Sequence, residues 1–210
     1  RNVGFFDDEC YMLLQTYENL RGGNARVVSA SYDTALCPAF VVGNGPSLDD
    51  TIGAIKANRE GAVLFACGSA IDPLFAHGIV PDFVIIIEED PDLLQYHQYT
   101  QEEHDLSGVC LIGASNVYPG LLPYHDEAIL FFRPGLSAGT VFAGNSCSVL
   151  YTSDPVVANA AVSFAQRAGF TDIYLFGVDM GAKDPARHHA QESVYTTRGL
   201  VYPDAFDIPV

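Results

Sequence analysis

Six short, largely uninterrupted apolar runs divide the chain: Ala39–Val42, Ala62–Cys67, Phe83–Ile87, Val109–Ala114, Ala128–Phe132 and Asp172–Val178. Runs this short suit strands. Because they are continuous rather than alternating, they suit strands covered on both faces, as in a parallel sheet. The segments between them carry helical spacing. Leu13, Leu14, Tyr17 and Leu20 predict an amphipathic helix over Asp8–Leu20, closed by Gly22 and Gly23. Ser47, with Asp50 following, predicts a capping box for a helix whose inner face is Ile52 and Ile55 and which ends near Gly61. A short helix is expected over Ser69–Ala76. Asp154 and Pro155 are expected to cap and open a longer one, with Val157, Ala160, Ala161, Phe164 and Ala168 inward and Gly169 at its end. Strands and helices alternating with short joins predict an α/β, Rossmann-like fold: a mainly parallel sheet with helices on both faces. Residues 1–35 read as a helical lead-in, 36–200 as the nucleotide-binding domain, and 201–210 as the start of a continuation, as in a piece of a longer protein.

With 49% hydrophobic residues in 210, the chain can bury a substantial core. Ten basic against 26 acidic residues leave a net charge of −16, which excludes nucleic acid and anionic lipid as partners. A small phosphorylated ligand is not excluded, because backbone N–H groups at a helix start hold phosphate without lysine. No apolar run approaches the roughly 18–20 residues of a membrane span. The five cysteines are scattered singly, as expected of reduced core thiols in a cytoplasmic protein.

In a sheet of this kind ligands bind beyond the carboxyl ends of the strands. The first such end reads Val41-Val-Gly43-Asn44-Gly45-Pro-Ser47-Leu48. Its two glycines let the backbone turn off the strand and approach a ligand, Asn44 and Ser47 add polar groups, and the following helix points free N–H groups at the site. A tight, well-capped turn is the alternative. Leu48 stands where G-x-G-x-x-G needs a small residue, and no G-K-[ST] follows, so neither a dinucleotide fingerprint nor a P-loop is present. Glu88, Glu89 and Asp90 end the third run; they are suited to Mg²⁺, with a solvated acidic loop as the alternative. Asp179 closes the last run. His188 and His189 follow it beside Lys183 and Arg187, where an imidazole of near-neutral pKa could serve as a base. His77, His97, His104 and His125 read as surface or capping residues.

Three pieces carry a family resemblance: Val42-Gly-Asn-Gly-Pro-Ser-Leu48, Gly78-Ile-Val-Pro-Asp82, and the block running from Thr152 through Ala165–Phe170 to Ile173–Asp179. The first resembles the nucleotide loop of small bacterial sialyltransferases that use CMP-sugars. All three, in this order, resemble the central domain of motility accessory factor (Maf) flagellin glycosyltransferases and the related 6-hydroxymethylpterin diphosphokinase (MptE-like) group. The resemblance spans about residues 38–195. It implies that Gly43, Asn44, Gly45, Ser47 and Ser69 contact the nucleotide and that Ser153 and Asp154 approach its ribose and base. It also places Asp179 in the cleft. The chain departs from the sialyltransferases after Asp179, where their phosphate-holding tyrosines give way to Met180–His189.

The function so implied is glycosyl transfer from a CMP-activated nonulosonic sugar to a protein hydroxyl, with Asp179, His188 and His189 as catalytic candidates. The nucleotide sugar is then a substrate, and no tightly bound cofactor is expected. The rival reading is an ATP-dependent pterin diphosphokinase, with Mg²⁺ on Glu88, Glu89 and Asp90. A non-catalytic nucleotide- or partner-binding module is the third.

Overall fold

A computed structural model describes residues 5–29, 33–181 and 187–198, with Phe5 and Cys147 described by backbone alone. Seven helices and seven strands follow in the order α1 (Phe5–Arg21), β1 (Arg26–Val27), β2 (Ala39–Val42), α2 (Leu48–Asn58), β3 (Val63–Cys67), α3 (Ile71–Ala76), β4 (Phe83–Ile86), α4 (Leu93–Glu103), β5 (Cys110–Ala114), β6 (Ala128–Phe131), α5 (Ser137–Phe142), α6 (Val157–Arg167), β7 (Ile173–Phe176) and α7 (Val194–Thr197). The strands form one sheet in the order β1-β6-β5-β4-β3-β2-β7, and every pairing is parallel. From β2 the chain steps outward through β3, β4, β5 and β6, then returns over the sheet to β7 on the other side of β2. Right-handed crossovers running in opposite directions place their helices on opposite faces, so the sheet is covered on both. The same reversal makes β2 the switch point, with β3 on one side and β7 on the other.

The continuous apolar runs are explained by this double cover. All four residues of β2 are buried, and so are Leu64–Cys67 of β3. Phe65, wholly buried, stacks on Phe83 at 4.9 Å and meets Phe164 of α6 at 6.3 Å, which seats α6 over β3 and β4. Burying a ring of this size stabilises the fold by about 2–3 kcal/mol. The last run is the exception. Strand β7 lies at the sheet edge, with Tyr174 and Leu175 more than half exposed, so its apolar composition does not mean burial there.

Four further expectations are corrected. In α1 the inward face is polar: Gln15, Thr16 and Asn19 are buried, whereas Leu14 and Tyr17 point outward. The Asn19 amide donates to the carbonyls of Ser115 (2.9 Å) and Val117 (2.8 Å), so the helix docks by hydrogen bonds onto the exit of β5. After it, Arg26 and Val27 of β1 pair with β6 at the edge of the sheet. Ser47 lies in helical conformation and its side chain caps nothing, so the capping box does not form. Helix α6 begins at Val157, after Pro155, and Asp154 instead pairs with Arg133 at 2.7 Å. Helix α4 was not foreseen, because much of its inner stripe is Tyr96, His97 and Thr100 rather than aliphatic residues.

The piece Gly78–Asp82 has a structural job. Asp82 accepts from the Leu64 N–H (2.8 Å) and from Arg59 (3.0 Å), joining β3 to the entry of β4 at the end of the sheet opposite the strand exits. Cys10, Cys37, Cys67 and Cys110 are free thiols, and burial pushes Cys67 up to about 12, out of reach of ionisation. Among the described residues no helix is long and apolar enough to cross a membrane.

Candidate functional site

A cleft of about 490 Å³ opens over the carboxyl ends of β2, β3, β4 and β7, at the switch point. This size suits a nucleotide-sized ligand. Its floor is Gly43–Gly45, Cys67–Ser69 and Gly177–Met180. Glu88, Asp90 and Leu93 form one wall, the start of α6 (Val156–Ala158) another, and His188, His189 and Tyr195 the rim.

The glycines are explained by protein contacts as much as by ligand approach. A Cβ on Gly43 would lie 2.6 Å from the Gly177 carbonyl oxygen, and one on Gly177 would run into the Gly43 carbonyl. A Cβ on Gly45 would overlap the Asp179 carboxylate. The exits of β2 and β7 are thus pressed together, and Gly45 N–H donates to Gly177 O at 2.8 Å. Asp179 accepts from the Ser47 N–H at 2.9 Å. The positive end of α2, read from sequence as an anion seat, is therefore covered by a carboxylate from the loop after β7, 132 positions away in sequence.

Asn44 is a strut. Its amide nitrogen donates to Ser69 Oγ (2.8 Å) and Ser193 Oγ (2.7 Å), and its carbonyl accepts from Ala190 N–H at 3.0 Å. One residue ties the exits of β2 and β3 to the segment carrying α7. The buried Asn44 Oδ1 has no protein partner, an acceptor that a ligand could satisfy.

His188 is exposed, while His189 is half-buried, its ring stacked on Tyr195 with centroids 4.5 Å apart. Burial, and secondarily the neighbouring His188, lowers the His189 pKa below 6.5, so the ring is neutral at pH 7 and able to accept a proton. Arg187 is turned away to pair with Asp49 of α2. Lys183 lies outside the described residues, as do residues 201–210.

Ser153 and Asp154 are not part of the lining: Ser153 is wholly buried and Asp154 is held by Arg133. Val156–Ala158 stand in the cleft in their place. The acidic trio does not converge: Glu88 and Asp90 line the cleft, but Glu89 does not. Among the described residues no group of three or more His, Cys, Asp or Glu side chains is placed to hold a metal. Tyr195, Ser193 and Leu93 were missed in the sequence, having no motif or strand end to mark them.

Of the expected surface histidines, His125 is buried and His97 is half-buried against it. His125 bonds Val109 O through Nδ1 at 2.8 Å, and His97 lies 5.6 Å from it, centroid to centroid. Burial drives His97 down to about 4, helped by His125, and also lowers His125. Groups whose pKa is lowered on folding give stability that is complete above about pH 6.5 and is lost as pH falls. Asp72, raised by burial to about 6, works in the opposite sense, losing stability as pH rises from about 4 through 6. The melting temperature is therefore expected to fall between pH 6.5 and 4. His97→Gln should flatten that fall in scanning calorimetry; equal slopes in the two proteins would refute the assignment.

A wholly parallel, doubly wound α/β sheet with its cleft at the switch point defines a Rossmann-like domain. The chain belongs to the 6-hydroxymethylpterin diphosphokinase MptE-like family, whose model matches residues 12–185. It is similar to the MAf glycosyltransferase from Magnetospirillum magneticum AMB-1, with 36% identity and a TM-score of 0.82, over 89% of this chain and 29% of that one. It is also 38% identical over 58 residues to an uncharacterized protein of Treponema pallidum (strain Nichols), covering 28% of this chain and 27% of the relative. The matched stretches cover less than a third of either relative's own length.

Proposed function

We propose that this domain is the nucleotide-sugar site of a glycosyltransferase that moves a CMP-activated nonulosonic sugar to a protein hydroxyl such as a flagellin serine or threonine. The likeness to a MAf glycosyltransferase over most of the chain supports the transferase class. The observation that favours CMP over ATP is the charge of the cleft. Glu88, Asp90 and Asp179 line it, and no lysine or arginine does so among the described residues. A CMP-nonulosonate brings two charges into that field, one on the phosphodiester and one on the sugar carboxylate, whereas ATP brings about four and would need metal to offset them. Hydroxyls of Ser69 and Tyr195 are the phosphate donors in this scheme, since the N–H groups of Gly43, Gly45 and Ser47 are engaged within the protein. His189, neutral and at the rim, takes the proton from the acceptor hydroxyl. Departure of CMP leaves a cationic anomeric centre, which the nearby carboxylates stabilise.

Calorimetry with CMP, CDP, UDP, ATP and NAD tests the reading. CMP is expected to bind tightest without added metal; binding of ATP only with Mg²⁺ would favour pterin diphosphokinase chemistry, and no binding of any nucleotide would leave a partner-binding module. Asp179→Asn keeps a capping oxygen on Ser47 but removes charge beside the phosphate. It is expected to raise CMP affinity about tenfold, since a unit charge a few ångströms away at the surface is worth about 1–2 kcal/mol. Unchanged or weaker affinity would place the phosphate elsewhere.

A further inference from the structure

Behind Tyr195 the cleft continues into a chamber of about 40 Å³, sharing Gly68, Ser69, Glu88, Leu93 and Tyr195 with it. The further walls are Ile71 of α3, Ile86 of β4, Tyr96 and Thr100 of α4, and Leu106, with Asp72 and His97 as the ionisable groups. Ile71, Ile86, Leu106 and Thr100 are all at least nine-tenths buried, so the chamber is built into the core and is not a surface dent. Tyr195 closes the mouth, edge-on to Tyr96 with centroids 5.6 Å apart.

The dimensions limit the occupant. One water needs about 10–15 Å³ measured this way, so the chamber admits about three water-sized groups. A phosphate or a sugar ring is too large, and a free carboxylate would be desolvated beside Asp72. The walls call for an apolar tip. Asp72, held by the Thr100 hydroxyl at 2.7 Å and by the Val194 backbone N–H, is a carboxyl with acceptor capacity left for one further N–H. A methyl group and an N–H on one short unit describe an acetamido group.

We propose that this chamber is a subsite for a short N-acyl group carried by the sugar of the cleft's ligand, an assignment that rests on the nucleotide-sugar reading above. The methyl lies among Ile71, Ile86 and Leu106, and the amide N–H donates to Asp72. Burying one methyl and making one hydrogen bond to a carboxyl together amount to about tenfold to fortyfold in affinity. Burial raises the Asp72 carboxyl to about 6, so near neutrality it remains chiefly an acceptor.

The test uses this chain with CMP-N-acetylneuraminate and its analogue bearing hydroxyl in place of acetamido. Wild type is expected to prefer the acetamido compound at least tenfold. Ile71→Phe, which fills the chamber, should bring the ratio to about one, and Asp72→Asn, which keeps its volume, should lower it about threefold. Equal affinities in wild type, or a ratio untouched by both variants, would overturn the proposal. If no CMP compound binds, the nucleotide-sugar reading fails, and ¹⁹F relaxation of free trifluoroacetamide still tests the chamber. Line broadening in wild type that is lost on Ile71→Phe or weakened in Asp72→Asn supports an acyl subsite. No broadening, or broadening of trifluoroethylamine alone, overturns it.

Discussion

Gly177→Ala is expected to destabilise the domain by about 3–4 kcal/mol, lowering its melting temperature by about 10 °C. Two effects add. Gly177 has φ +60°, a left-handed conformation that costs a non-glycine residue about 1–2 kcal/mol. The new Cβ also meets the Gly43 carbonyl and stands 3.0 Å from Leu48 Cβ, both fixed by the β2 exit. Relief requires β7 to move from β2, breaking the Gly43 N–H bond to Phe176 O (2.8 Å) and the Gly45 N–H bond to Gly177 O. Nucleotide affinity should fall with stability, since the same loops floor the cleft. Gly53→Ala, in α2 with nothing near its Cβ, is the control and should stabilise slightly. A Gly177→Ala protein that melts within 2 °C of wild type, as measured by calorimetry, would show that the two exits are not locked together.

The second large effect concerns turnover in the intact protein. His189→Ala should lower kcat about 10²- to 10⁴-fold while CMP affinity changes little, as loss of a base that acts only in the transition state requires. His188→Ala should cost less than about tenfold, because His188 is exposed whereas His189 is half-buried against Tyr195. The two histidines are equivalent in the sequence, and burial against Tyr195 separates them. The pH profile gives an independent check. The lowered pKa of His189 keeps it deprotonated to below pH 6.5, so the acid limb of kcat/KM should lie lower than for an ordinary imidazole. Full turnover in His189→Ala, or an acid limb above pH 6.5, would remove it from the mechanism.

The sheet was legible because a strand buried on both faces must be apolar throughout, as Phe40–Val42 and Phe65–Cys67 are. The same rule misled at β7, where Tyr174 and Leu175 belong to an edge. Helices whose inner faces are polar could not be read by periodicity: α1 docks through Asn19, and α4 presents His97 and Thr100. At the site, the glycine loop, Ser69, Asp179 and the histidines were found because each follows a strand or adjoins one that does. What stayed hidden was the division of labour. That Asp179 caps Ser47, that Asn44 braces Ser193, and that Tyr195 shields His189 all depend on contacts across more than a hundred residues or on a helix of one turn. Local patterns carry no trace of such pairings.

The brace at Asn44 binds two processes into one equilibrium. Two of its hydrogen bonds, to Ser193 Oγ and from the Ala190 N–H, hold the segment from Ala190 to Ser193 against the β2 exit, while its buried Oδ1 has no protein partner beside the same cleft. A ligand that engages this amide and strengthens its hold gains affinity from an already seated α7, and by reciprocity its arrival secures α7 in turn. A ligand that draws the amide away must release α7, and pays that release out of its own affinity. The occupancy of this cleft and the docking of a four-residue helix are therefore linked quantities, so whatever loosens α7 is expected to change ligand affinity by the same factor as the ligand changes the seating of α7.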